Sequence, residues 1–162
     1  MIHTLPTANI GLSGAILLAL IGIGIAWWAT AASPNLYPVV VNGKYGFMNK
    51  SGKLAIQPQF DRARPFVEGS AAVQLGGHWG FINKSGKLIV APQYDLADPY
   101  SESLALMAVG PQLGYINKSG QWAINPQFPG AGQFRAGIAP VWLGNREGYI
   151  NKDGQFVWNP MS

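Results

Sequence analysis

Four lysines occupy one position in four copies of a short phrase: Asn49-Lys50-Ser51-Gly52, Asn83-Lys84-Ser85-Gly86, Asn117-Lys118-Ser119-Gly120 and Asn151-Lys152-Asp153-Gly154. Equivalent turns of repeated units project on one side, so Lys50, Lys84, Lys118 and Lys152 are expected to form a basic rim, with Lys53 and Lys87 nearby. Such a rim would attract anionic lipid headgroups or an acidic partner, at about 1 kcal/mol per lysine close to an anionic surface. The plainer role is to keep exposed hairpins soluble and blunt strand edges.

The other groups capable of chemistry are few. There are seven carboxylates: Asp61, Glu68, Asp95, Asp98, Glu102, Glu147 and Asp153. Asp61 and Asp95 share one repeat position, Glu68 and Glu102 share another, and Asp153 replaces a turn serine. A glycosidase-like pair needs two carboxylates about 5 to 10 Å apart around a substrate. Only Asp98 and Glu147 lie outside the recurrent positions, and nothing in the sequence places them together. His3 and His78, far apart and without cysteine, make no recognisable metal site or triad. Ser51, Ser85 and Ser119 recur in register, as turn residues do and nucleophiles do not. The expectation is a non-enzymatic chain with no catalytic residue, no metal, no cofactor and no identified small-molecule substrate. Trp79, Trp122, Trp142 and Trp158 could bind sugars or a peptide, but their apolar bulk at repeat positions favours a place in the core.

The composition sets the frame that must hold these groups. Charged residues are 11% of the 162, whereas glycine (21) and proline (12) are abundant, a balance suited to short strands joined by tight turns. The net charge of +4 comes from basic residues spread through the repeats rather than massed in a block, which argues against a nucleic-acid partner. Without cysteine there is no disulfide and no lipidated Cys, and the redox compartment goes unmarked.

Residues 4 to 43 carry no charged side chain, and Ile10 to Ala32 is a nearly unbroken apolar run of 23 residues. As a helix it would span roughly 34 Å, enough to cross a bilayer core. Ala29-Thr30-Ala31 resembles a signal cleavage site, but the basic n-region is missing and the apolar stretch is long, which favours a retained anchor. Trp27 and Trp28 would then act as an interfacial anchor at headgroup level. Gly11, Ala15, Ala19, Gly22, Ala26 and Ala29 fall at helical spacing and would form a small-residue face for docking on another transmembrane helix. The first basic residues after the span, Lys44 and Lys50, weakly favour a cytoplasmic C-terminal domain. The signal-like character pulls the other way, and the balance falls slightly on the non-cytoplasmic side. The expected organisation is a tail (1–9), a transmembrane helix or uncleaved signal anchor (10–32), a linker (33–37) and a β domain (38–162).

Within that domain Gly46, Gly80, Gly114 and Gly148 are spaced by 34 residues, a period that marks units burying their apolar faces against neighbours. Each copy reads as a three-stranded meander. Val39-Val40-Val41 precedes Asn42-Gly43, a type I′ hairpin signal. A middle strand, Tyr45 to Asn49, enters the Asn-Lys-Ser-Gly turn, and Lys53 to Ile56 leaves as the third strand, closed by Pro58. Pro92, Pro126 and Pro160 close the later copies. The connectors carry paired rings, Phe60 and Phe66, Tyr94 and Tyr100, Phe128 and Phe134, read as plugs tying one meander to the next. The mid-strand glycines are expected to lie under a neighbouring aromatic ring.

The phrase Trp79-Gly80-Phe81-Ile82-Asn83-Lys84-Ser85-Gly86-Lys87-Leu88-Ile89-Val90-Ala91-Pro92-Gln93-Tyr94-Asp95 resembles the bacterial WG repeat, also called the KWG repeat, and the similarity extends over about residues 38 to 160. Only the second copy has the naming tryptophan; Tyr45, Leu113 and Glu147 replace it elsewhere. The resemblance implies a β-rich repeat module that mediates interactions rather than catalysis. The fold expected is all-β, four three-stranded antiparallel meanders in a propeller-like ring or an open arc, behind one transmembrane helix. The function expected is a membrane-tethered protein-interaction module, an accessory subunit of a larger membrane complex, with respiratory and photosynthetic types compatible. Its partners would be membrane lipid and a transmembrane protein. The alternative is an exported glycan- or cell-wall-binding protein.

Overall fold

The structure, a computed structural model, describes residues 35–159. The expected transmembrane helix, its small-residue face (Gly11, Ala15, Ala19, Gly22, Ala26, Ala29) and Trp27-Trp28 lie outside the described residues. Among the described residues no helix is long and apolar enough to cross a membrane.

In the described residues fifteen strands form four antiparallel sheets. The first contains β1 (Tyr37–Val41), β2 (Lys44–Met48) and β3 (Leu54–Phe60). The second contains β4 (Arg62–Ala63), β5 (Ser70–Leu75), β6 (His78–Asn83) and β7 (Leu88–Tyr94). The third has β8 (Leu96–Ala97), β9 (Ala105–Val109), β10 (Gln112–Ile116) and β11 (Trp122–Phe128), and the fourth β12 (Gly130–Ala131), β13 (Ile138–Leu143), β14 (Arg146–Asn151) and β15 (Phe156–Trp158). Hairpins form where the turn residues predict them: Asn42 and Gly43 sit at φ of 51° and 78°, as a type I′ turn requires.

Two expectations about the strands change. Three of the sheets have four strands rather than three, because the connector contributes a two-residue strand that pairs with the following sheet, Arg62 with Gln74 and Ala63 with Val73 in the second. The third strand also does not stop at Pro58. It runs to Phe60 through a wide bulge, since Tyr45 faces Phe60 but Phe47 faces Ile56, leaving Gln57-Pro58-Gln59 opposite Gly46. A proline is tolerated there because a bulged residue owes no ladder hydrogen bond.

That bulge also explains the mid-strand glycines, and it corrects the expected ring. A Cβ on Gly80 would stand 2.4 Å from the Val90 carbonyl oxygen and 2.8 Å from the Pro92 nitrogen; at Gly46 and Gly114 it would meet the same backbone atoms of their own copies. Backbone, not an aromatic side chain, occupies the space.

The core lies between consecutive sheets. Phe47, Ile56, Phe60, Ala71, Val73 and Ile82 join the first to the second. Phe81, Val90, Tyr94, Tyr100, Met107 and Ile116 join the second to the third, and Leu106, Tyr115, Ile124, Phe134, Val141 and Ile150 join the third to the fourth. The connector rings serve as the predicted plugs: Phe66, Tyr100 and Phe134 lie with centroids 4.8, 4.7 and 4.8 Å from Phe47, Phe81 and Tyr115. The middle strands of the second and third sheets therefore have two apolar faces: Ile82 and Ile116 pack toward the preceding unit, Phe81 and Tyr115 toward the next. Among the described residues no core cluster joins the first sheet to the fourth.

Candidate interaction surface

The four lysines are presented by one turn built four times. Asn49 Oδ1 accepts hydrogen bonds from the Ser51 amide (3.0 Å), the Ser51 hydroxyl (2.7 Å) and the Lys53 amide (3.0 Å). Asn83 and Asn117 repeat the pattern, and Asn151 holds the amides of Asp153 (3.1 Å) and Gln155 (2.9 Å). An asparagine side chain standing in for a backbone carbonyl fixes the turn and aims the following lysine outward.

The structure then differentiates the four. Lys118 Nζ lies 3.2 Å from Glu68 Oε2, donates to the Glu68 carbonyl (2.8 Å) and sits 3.9 Å above the Tyr100 ring. Lys152 repeats the two polar contacts one unit later, 3.1 Å from Glu102 Oε2 and donating to the Glu102 carbonyl (3.1 Å). Each carboxylate also accepts from the next connector turn: Ser103 N–H to Glu68 (3.0 Å) and Gly137 N–H to Glu102 (3.0 Å). The Lys152 ammonium, with the Gly137 and Ala136 amides, holds the Glu102 carboxyl below the ordinary glutamate range. Lys84 lines a cavity of about 390 Å³ whose walls include Asn35, Glu68 and Gly69. Lys50 is exposed.

The remaining carboxylates face turns and cations. Asp61 bonds Lys44 and the Gly76 amide (2.7 Å), Asp95 takes the Gly110 amide (2.7 Å), and Asp98 lies 3.4 Å from Arg64, whose guanidinium stands 5.3 Å from the Trp79 ring centroid. The Lys44 ammonium above all, with the Gly76 amide, holds the Asp61 carboxyl below its usual range. Glu147 accepts from the Tyr149 hydroxyl (3.2 Å) and its charge raises that phenol above its usual value. His78 is 4.0 Å from Asp95. Among the described residues there is no group of three or more His, Asp or Glu able to hold a metal. Asp98 and Glu147 are in different sheets' surroundings, each with its own partner.

The tryptophans divide. Trp79 and Trp122 pack on the cluster between the second and third sheets, as the sequence suggested. Trp142 and Trp158 are exposed, a correction to the core expectation whose cause is their place in the fourth sheet, where no described unit follows. Beside them a cavity of about 450 Å³ is lined by Gln133, Arg135, Ile138, Pro140 and Tyr149.

The model of the WG containing repeat matches residues 45–78, 79–110 and 114–146, more than half of the chain. The chain belongs to the WG repeat family. The matched segments begin on the middle strand of one sheet and end at the first hairpin of the next, so one WG repeat supplies parts of two sheets. No curated protein matches the chain. A solved structure described as a plant lectin with two metal binding sites from Cicer arietinum is 13% identical over 80% of this chain and 84% of that one, with a TM-score of 0.33. That score is too low to carry an argument about this WG repeat protein.

Proposed function

We propose that this WG repeat protein is a non-catalytic interaction module, tethered to a membrane by residues 10–32 and serving as an accessory subunit of a larger membrane complex. The observation that carries the reading is the use made of the recurrent polar groups. Glu68, Glu102, Asp61 and Asp95 are spent on backbone amides and cations of neighbouring turns, an arrangement that builds scaffold rather than reactive geometry. The uncharged run from Ile10 to Ala32 supplies the tether, and its stripe of Gly11, Ala15, Ala19, Gly22, Ala26 and Ala29 supplies a face on which a partner helix packs closely. The non-cytoplasmic side is the preferred side for the β domain.

The test is co-purification from detergent extracts of the native membrane. A stoichiometric membrane partner is expected with the wild type, reduced by Gly22→Leu and unaffected by Leu18→Ile. Equal recovery with both variants removes the docking face from the proposal.

The exposure of Trp142 and Trp158 favours one alternative, an exported glycan-binding protein, because indole faces are common platforms for sugar rings. A soluble, truncated product that is retained on insoluble cell-wall polysaccharide, and released by Trp158→Ala, would support it over the tethered subunit.

A further inference from the structure

The three internal junctions use equivalent positions of successive copies, and at the two end sheets the same positions are half-buried or exposed, with no described unit packed on them. Toward the following unit, the second sheet offers Ala72, Phe81 and Val90, and the third offers Leu106, Tyr115 and Ile124. At the 34-residue step the fourth sheet offers Pro140, Tyr149 and Trp158, with Trp158 64% exposed. Toward the preceding unit, the second, third and fourth sheets offer Ala71, Val73 and Ile82, then Ala105, Met107 and Ile116, then Ala139, Val141 and Ile150. The first sheet offers Tyr37, Val39 and Met48 in those positions, joined by Val41, which is 41% exposed. The register confirms the faces: Tyr37 opposes Met48 across β1 and β2, and Pro140 opposes Tyr149 across β13 and β14.

We infer that a second copy of this chain covers the fourth sheet, seating its own first sheet on Pro140, Tyr149 and Trp158 as the third sheet is seated on the second. The inference concerns the β domain alone and goes beyond the membrane-partner reading. Such a contact is heterologous, using different patches on the two copies, and leaves one free face at each end. It is also weaker than the two junctions that carry a lysine–glutamate link. Ala136 stands where Glu68 and Glu102 stand, with the same left-handed backbone (φ 51° against 48° and 52°) but no carboxylate for the incoming lysine. In the second copy that lysine is Lys50, and the amide corresponding to those of Ser103 and Gly137 is that of Asn35.

The full chain in detergent, followed by sedimentation over a range of concentrations, tests this. Wild type is expected to associate reversibly, and Trp158→Asp or Val41→Asp alone to abolish it, each exposed position leaving the fold intact by circular dichroism. Mixing the two variants should restore a one-to-one pair, because each retains the face the other has lost. Ala136→Glu should tighten association about two- to fivefold, as expected of an exposed ion pair, and Lys50→Gln should cancel that gain. A wild type that stays monomeric overturns the inference. Association that survives both aspartate variants overturns it too, since the contact then lies in the membrane segment. Loss with Trp158→Asp but not Val41→Asp overturns it in favour of symmetric pairing of two fourth sheets.

Discussion

Lys152 reaches back 50 residues to Glu102, lying 3.1 Å from its carboxylate and donating to its carbonyl at 3.1 Å. The same carboxylate takes the Gly137 amide, so one glutamate joins two turns of the fourth unit to the third. Lys118, Glu68 and Ser103 do the same one repeat earlier. A repeat protein needs such links because each unit is stabilised chiefly by its neighbours.

This linkage sets an acid limb to stability. The Glu102 carboxyl is held below its ordinary value of 4.5 in the folded chain, first by Lys152. The unfolded chain therefore binds the proton more readily, so the contribution is present above that ordinary value and is lost as pH falls through the lower folded one. Glu102→Gln should flatten the fall in thermal midpoint below pH 4.5 relative to wild type. Parallel curves for the two proteins would show that the linkage does not bear on folding.

Much of this architecture was legible in the sequence, because the repeat places each residue type in the same environment several times. The Asn-Lys-Ser-Gly turns, the paired connector rings and the strand positions around them follow from local chemistry repeated in step. The pairing of Glu102 with Lys152 did not, although both recur, since nothing in the spacing says which glutamate a turn lysine will meet across a sheet junction. The bulge at Pro58 was hidden for a related reason. Proline reads as a strand end, and only the backbone packed against Gly46 shows that the strand continues past it. The exposure of Trp142 and Trp158 is not legible because periodicity describes an average unit, and no described unit packs on the following face of the fourth sheet.

The close approach at the mid-strand glycines gives a direct prediction. Gly80→Ala places a methyl 2.4 Å from the Val90 carbonyl oxygen, against backbone that cannot rotate away. Overpacking of this kind costs about 1 to 3 kcal/mol, even though alanine is the less flexible residue. A denaturant midpoint equal to or above that of wild type would refute the contact.

Two buried phenols predict an alkaline limb. Tyr100 donates to the Asn117 carbonyl (3.0 Å) and burial raises its pKa to about 12 from 10.0; burial raises Tyr115, which donates to Gly132 (2.6 Å), further still. The unfolded chain ionises first, so this stability is intact below pH 10 and is lost as pH rises toward the folded values. Ultraviolet difference titration of the folded chain should show two phenols silent until the protein unfolds. Tyr115→Phe should remove one of them and, by leaving the Gly132 carbonyl without its donor, cost about 1 to 3 kcal/mol. Normal titration of all six tyrosines in the folded chain would contradict the burial.

The lysines of the basic rim differ in their expected behaviour. Lys118 and Lys152 are engaged with Glu68 and Glu102, so their conversion to Gln should lower the thermal midpoint slightly as well as reduce charge. Lys50 is exposed on the first turn, and Lys50→Gln should leave the midpoint within the small range usual for surface changes. Binding to anionic liposomes should fall when Lys50, Lys84, Lys118 and Lys152 are all replaced, and the loss should be largest at low salt, where exposed charges are least screened. Because each ammonium already paired with a carboxylate contributes less net positive potential, Lys50→Gln should account for more of that loss than Lys152→Gln. Liposome binding that survives all four substitutions at low ionic strength would return the lysines to the bland role of keeping strand ends soluble.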